Sequence, residues 1–376
     1  MSLAIREVDL FNNKKELKAF VDIPWTIYKN DPNWVAPLKM AVKELFTKKH
    51  PFYQTGSLKS WIVSKNGKDV GRICSIVNDA HNKYHEENVG FFGFIEAPND
   101  NEIWDLLIET AEKDLKSQGL LEMRGPLNPS TNYEGATLID GFDGPPVLMM
   151  SYNKEYYQEQ LERRGYGKSK DLLAYIYDLD SELPEVIHKI ADRAVAKNKI
   201  TFRTLDKKNW AREVDLMFDL YNKAWEKNWG FVPMTRAEFD HMAKDLKMLV
   251  KEDLIMFTEV DGKAAGFLVG LPDLFQALHK NPSGKLFPTG IFKLLFSDRY
   301  ITRVRVLLMG VLPEYRRYGL ETLLYRETKR NLNQNYPQVK QVEMSWILED
   351  NLPMNKPLQR MGAVPYRTYR IFGKEL

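Results

Sequence analysis

The chain has 376 residues, 44% of them hydrophobic and 28% charged, with a net charge of +3. That balance fits a globular protein with room for two cores, and it argues against disorder and against nucleic acid as the main partner. Cys74 is the only cysteine, which excludes a disulfide framework and a cysteine-rich metal centre. No metal site is expected. No apolar stretch approaches 18 residues and the N-terminus lacks a signal-peptide shape, so no membrane association and a cytoplasmic location are expected.

In chain order, Ile5 to Val8 reads as a strand and a helix starts at Lys14. Residues 24–54 are rich in proline and aromatics and read as a helix–loop–helix excursion. Trp61 to Ser64 and Val70 to Val77 form a hairpin across Asn66-Gly67, a dipeptide suited to a two-residue turn. Val89 to Ile95 is apolar enough for a central strand. A helix follows from Asn101 to Ser117, with Ile103, Leu106, Leu107, Ala111 and Leu115 on one side. The loop 124–147 is long and polar, and Arg124, Asn128, Asn132, Tyr133, Glu134, Asp140 and Asp143 could build a substrate pocket or hold an ordered connector. The strand Leu172 to Leu179 then ends the first half.

The second half restarts the same order. Val186 to Lys197 is a helix, Ile200 to Leu205 a strand, and Trp210 to Asn222 a helix. Thr235 to Lys251 is a helix with Glu238 placed for a capping box. Leu254 to Val260 pairs with Ala264 to Leu271 across Asp261-Gly262. Residues 272–300 are an insertion that could serve as a lid. Arg303 to Val311 is a central strand that Pro313 ends. A basic, glycine-containing turn, Arg316 to Gly319, leads into a helix from Leu320. Unpaired amides at such a helix N-terminus, beside two arginines, suit a phosphate. Val339 to Leu348 is a further strand. Asn351 can cap a short helix, Gly362 can end it, and Tyr366 to Phe372 is the last strand.

Val311-x-Pro313-x-x-Arg316-x-x-Gly319-x-x-x-Leu323 resembles the acetyl-CoA-binding segment of the GNAT acyltransferases, whose core is Arg/Gln-x-x-Gly-x-Gly/Ala. Asn351 and Gly362 resemble that family's second motif in order and spacing. Two departures stand out: Glu321 replaces the usual Gly or Ala, and Leu358 falls where many members carry a tyrosine that protonates the leaving thiolate. The first half is similar in element order, and Tyr156-Tyr157 through Gly165-Tyr166 resembles the second motif again. There, however, the phosphate turn is replaced by acidic Glu96 to Glu102.

The resemblance implies an α/β (α+β) fold of two GNAT-like domains, 1–180 and 181–376. Each would have a mixed, mostly antiparallel sheet flanked by helices, and only the second would have a CoA site. It implies that Met309, Gly310, Val311, Arg316, Arg317, Tyr318, Gly319, Leu320 and Asn351 bind acetyl-CoA or another acyl-CoA as co-substrate. It implies N-acyl transfer to a small-molecule amine or amino-group substrate. The reaction needs a base, for which Glu343 and Glu349 are candidates, and Tyr366 could supply the missing acid. A silent ligand- or partner-binding protein and a FemABX-like aminoacyl transferase are the alternatives. A monomer or homodimer is expected.

Overall fold

The computed structural model describes residues 2–197 and 199–376. In the first half the strands are β1 (Leu3–Glu7), β2 (Gly56–Lys65), β3 (Lys68–Asn78), β4 (Val89–Glu96), β5 (Glu122–Gly125), β6 (Leu127–Asn128), β7 (Glu134–Gly135), β8 (Thr137–Asp140) and β9 (Gly167–Asp178). In the second half they are β10 (Ile200–Thr204), β11 (Ile255–Val260), β12 (Lys263–Pro272), β13 (Arg303–Val311), β14 (Gln341–Leu348) and β15 (Val364–Glu375).

The chain forms two compact units, Met1–Asp171 with Ala277–Leu295 and Arg367–Leu376, and Leu172–Gln276 with Phe296–Tyr366. In the first unit β1 to β5 lie in sequence order, antiparallel except for β4 and β5. The end of β15 pairs with β5, from Phe372 opposite Gly125 to Glu375 opposite Glu122. In the second unit the order is β10 to β14, antiparallel except for β13 and β14, and β9 pairs with β14 from Asp178 opposite Gln341 to Leu172 opposite Leu348. Each unit therefore takes its sixth strand from the other half of the sequence. The units differ from a cut at residue 180 for this reason.

Local chemistry explains several element ends. Asn66 and Gly67 have φ of 54° and 77°, and Asp261 and Gly262 have 50° and 76°, the pairs of positive values that a type I′ hairpin turn requires. Thr235 caps the helix Arg236–Leu246 in a reciprocal capping box with Glu238. The helix Asn101–Ser117 buries Ile103, Trp104, Leu107, Ile108, Ala111 and Leu115 on the first sheet, a spacing of three and four residues that makes one apolar stripe. The helix Leu320–Asn335 does the same in the second unit with Leu320, Leu323, Leu324 and Leu332. Residues 277–295, expected as a lid, belong to the first unit: Trp25 Nε1 donates to the Pro282 carbonyl at 2.8 Å, and the Lys39 amide donates to the Gly284 carbonyl at 2.9 Å.

The polar loop after β5 is an internal filler. β4 and β5 pair only from Val89–Glu122 to Phe91–Arg124 and then part. Leu127 and Asn128 occupy the gap: the Phe94 amide donates to Asn128 Oδ1 at 2.6 Å, and a Cβ on Gly93 would lie 1.9 Å from the Leu127 carbonyl. Arg124 is held by Glu87 and Glu122 at 2.7 and 2.6 Å. Gly93→Ala must therefore push backbone against backbone. It is expected to lower the unfolding free energy by about 3 kcal/mol, read by urea denaturation, whereas Gly67→Ala, with nothing within 4 Å, costs only its positive φ.

Candidate active site

The second unit contains the same parting of strands, here left open. β13 and β14 are paired in parallel from Arg303–Gln341 to Val306–Met344 and no further. Both strands are irregular at that level. β13 carries an extra residue, Leu307, against β12, and β14 shifts register against β9 between Met344 and Ile347. Beyond this point the facing main-chain groups of the two strands have no ladder to complete them, and buried backbone amides and carbonyls demand partners.

A cavity of about 220 Å³ fills the wedge. Val306, Leu307 and Met309 to Val311 form one wall and Met344 to Leu348 the other, with Asn351, Met354 and Leu358 at one end. Trp225 covers it from the preceding helix. Gly310 permits this, since a Cβ there would lie 2.5 Å from the Trp225 ring. Arg316, Glu321 and Tyr325 line it from the basic turn and the helix that follows.

That helix begins at Gly319, with φ of 77° and no side chain capping its first-turn amides. The corresponding helix of the first unit is capped by Asp100, which accepts from the Glu102 and Ile103 amides. Arg316 points its guanidinium at the Ala224 carbonyl, 3.1 Å away. Glu321 is one residue into the helix, and burial pushes its carboxyl above the usual range against the opposing pull of Arg316. Tyr325, one turn further on, is 6% exposed, and its hydroxyl has no hydrogen-bond partner among the described residues. Burial, reinforced by the Glu321 charge, raises that phenol above its ordinary value.

Of the residues expected to bind CoA, Met309, Gly310, Val311, Arg316 and Asn351 line the cavity. Arg317, Tyr318 and Gly319 lie on the turn outside it, where a Cβ on Gly319 would face Ile190 at 3.0 Å, and the Leu320 side chain is buried in the core. Asn351 occupies the N-cap position of the helix Leu352–Arg360, but its side chain makes no cap hydrogen bond. Gly362 ends that helix with φ of 97°, and the Gly362 and Ala363 amides bond back to Gln359 and Leu358 in a Schellman pattern.

Glu343 and Tyr366 meet. Tyr366 donates to Glu343 Oε1 at 3.5 Å, and Arg305, opposite Glu343 in the ladder, places Nε 3.6 Å from Oε2. Glu343 is fully buried, which raises its pKa; Arg305 and a hydrogen bond from Ser345 pull the other way. Neither Glu343 nor Tyr366 lines the cavity, but Ser345, whose side chain hydrogen-bonds Glu343, is one of its lining residues. Glu349 lies beyond the end of β14, where its carbonyl accepts from Asn355 Nδ2 at 3.2 Å. Reading the sequence missed Tyr325 and Ser345. The four-residue spacing of Glu321 and Tyr325, and the two-residue spacing of Glu343 and Ser345 along a strand, were the signals available.

Two similar units, each with a parallel pair of strands that part at mid-length, define the tandem GNAT fold. The tandem GNAT protein from the clavulanic acid biosynthesis pathway superposes with a TM-score of 0.58 at 13% identity, over 100% of this chain and 98% of that one. No family model matches the chain. By sequence it belongs to the family that contains Protein YghO of Escherichia coli K12 and the bacterial ceramide synthase of Caulobacter vibrioides. It is 37% identical to the first over 98% of this chain and 95% of that protein, and 33% identical to the second over 96% and 95%.

The shifted carboxyl gives a test of the cavity's character. A Glu whose folded pKa lies above its unfolded one favours the protonated folded state, so stability is lost as pH rises from the unfolded value through the folded one. Glu321→Gln should melt at a higher temperature than wild type at pH 7.5 and at nearly the same temperature at pH 4. Differential scanning fluorimetry at the two pH values reads the difference.

Proposed function

We propose that the chain is an acyl-CoA-dependent N-acyltransferase with its site in the β13–β14 wedge. The observation that carries this reading is the wedge itself: two strands stop pairing beside a cavity that Arg316 and Glu321, on either side of an uncapped helix N-terminus, help to line. A pantetheine arm is an extended chain of amides and can complete such a ladder as an added strand does. The first-turn amides around Gly319, with Arg316, suit its pyrophosphate. The unpartnered Tyr325 hydroxyl is a further sign that a ligand belongs there.

The thioester supplies the activated acyl group. The attacking amine must first lose a proton, and Ser345 passes it to Glu343, whose raised pKa makes it a better base near neutral pH than an ordinary carboxylate. The nitrogen bonds to the acyl carbon and the carbon–sulfur bond breaks; the thiolate takes its proton from Tyr325, which stands in for the tyrosine replaced by Leu358 and recovers a proton from the nitrogen as the amide forms. The products are an amide and free CoA.

For the acceptor we propose a long-chain amino alcohol. The Caulobacter relative is named a ceramide synthase, and a ceramide is the amide of such an amine; the apolar walls formed by Met309, Met344, Met354 and Leu358 suit an alkyl chain. A second reading, a silent ligand-binding protein, draws on Glu321, whose charge opposes a diphosphate.

Acyl-CoA should raise the melting temperature of wild type, and Arg316→Glu should abolish the rise. Thiol release with a long-chain amino alcohol, absent with a short amine, supports the acceptor. Binding without turnover for any amine favours the silent reading. Tyr325→Phe should lower kcat by about a hundredfold or more with little change in KM. Because it removes a buried hydroxyl that has no partner, it should leave the melting temperature unchanged or higher. Glu343→Gln and Ser345→Ala should both flatten the acidic limb of the pH–rate profile.

A further inference from the structure

The insertion in the second half carries a surface that the acyltransfer reading leaves unexplained. The short helix Thr289–Leu295 turns apolar side chains outward. Phe292 and Leu295, one turn apart, are 58% and 67% exposed, and Phe287 just before the helix is 66% exposed. Ordinary surface helices present polar residues to water and keep their apolar stripe for the core. Here Ile291 and Leu294 are already half-buried beneath, so the outward apolar face is additional. The segment is also built, not loose. Its neck is fixed to the first unit through Trp25 and Lys39, through the His279 ring bonded to the Pro32 carbonyl at 2.7 Å, and by Gly284, where a Cβ would lie 2.4 Å from the Trp25 ring.

The charge of the segment chooses the occupant. Between Asp273 and Asp298 there is no acidic residue, while Lys280, Lys285 and Lys293 fall within it. Lys280 and Lys285 are exposed, and Lys293 reaches back to the Lys280 carbonyl. A second copy seated symmetrically on this face would bring lysines against lysines, which is unfavourable. An anionic lipid surface satisfies both features at once, with phenylalanine and leucine entering the acyl boundary and lysines meeting the headgroups. Among the described residues no helix is long and apolar enough to cross a membrane, so the contact lies in the interface plane.

We infer that Phe287, Phe292 and Leu295, framed by Lys280, Lys285 and Lys293, dock the protein peripherally on anionic lipid bilayers. The inference does not rest on acyl transfer, and its test uses neither acyl-CoA nor turnover. The full chain is mixed with phosphatidylcholine vesicles containing or lacking phosphatidylglycerol, and binding is read by flotation. Wild type should float with the anionic vesicles and far less with pure phosphatidylcholine, and added salt should weaken it. Phe292→Ser with Leu295→Ser should reduce binding by at least about tenfold at an unchanged melting temperature, and Lys285→Glu should reduce it on anionic vesicles alone. Should the serine variant not fold, Lys285→Glu carries the test. The inference is overturned if wild type ignores anionic vesicles at every lipid concentration, if the substitutions leave binding unchanged, or if analytical ultracentrifugation shows that they dissolve a dimer instead.

Discussion

The structure depends on a failure of pairing. Two parallel strands hydrogen-bond for four residues each, from Arg303–Gln341 to Val306–Met344, and then diverge. Every main-chain amide and carbonyl beyond that point needs another partner or water. The extra residue Leu307 in β13 and the shift of β14 at Ser345 and Trp346 make the divergence permanent, because neither strand can slide back into register without losing its other neighbour. Trp225, Arg316, Tyr325 and Leu358 are arranged around the space that results.

The first half offers an internal comparison. It has the same divergence after Phe91 and Arg124, yet there the chain supplies its own partner: Asn128 accepts from the Phe94 amide, and the Leu127 carbonyl rests on Gly93. Its helix N-terminus is likewise satisfied from within, by Asp100. The same scaffold thus appears once with its polar groups closed by protein and once with them open. The difference lies in a few residues: Asp100, Leu127 and Asn128 fill in the first unit what the second leaves open to its cavity.

Much of this was legible in the sequence. The hairpins at Asn66-Gly67 and Asp261-Gly262, the capping box at Thr235 and Glu238, and the glycine stop at Gly362 are dictated by local backbone chemistry, which acts over a few residues. The strand, basic turn and helix around Pro313 and Gly319 follow from the motif there. What could not be read was long-range. Leu172 to Leu179 and Tyr366 to Phe372 have good strand patterns, but a pattern does not say which sheet edge a strand will join, and two equivalent edges were on offer. Nor did local patterns show that Ser345 would bond Glu343, that the Tyr325 hydroxyl would find no partner among the described residues, or that Asn128 would be consumed as a plug. Those outcomes depend on residues brought together from distant parts of the chain.

The exchanged strands carry a consequence for biosynthesis. The sheet of the first unit is completed by Phe372 to Glu375, which are made long after β5 itself. Until then its β5 edge is bare, and a bare edge invites any passing strand. The first unit therefore cannot be sealed until β15 has followed the whole second unit out of the ribosome, so it matures with that unit rather than ahead of it. Cutting the chain between β9 and β10 would leave each piece without a staple that only the other piece carries.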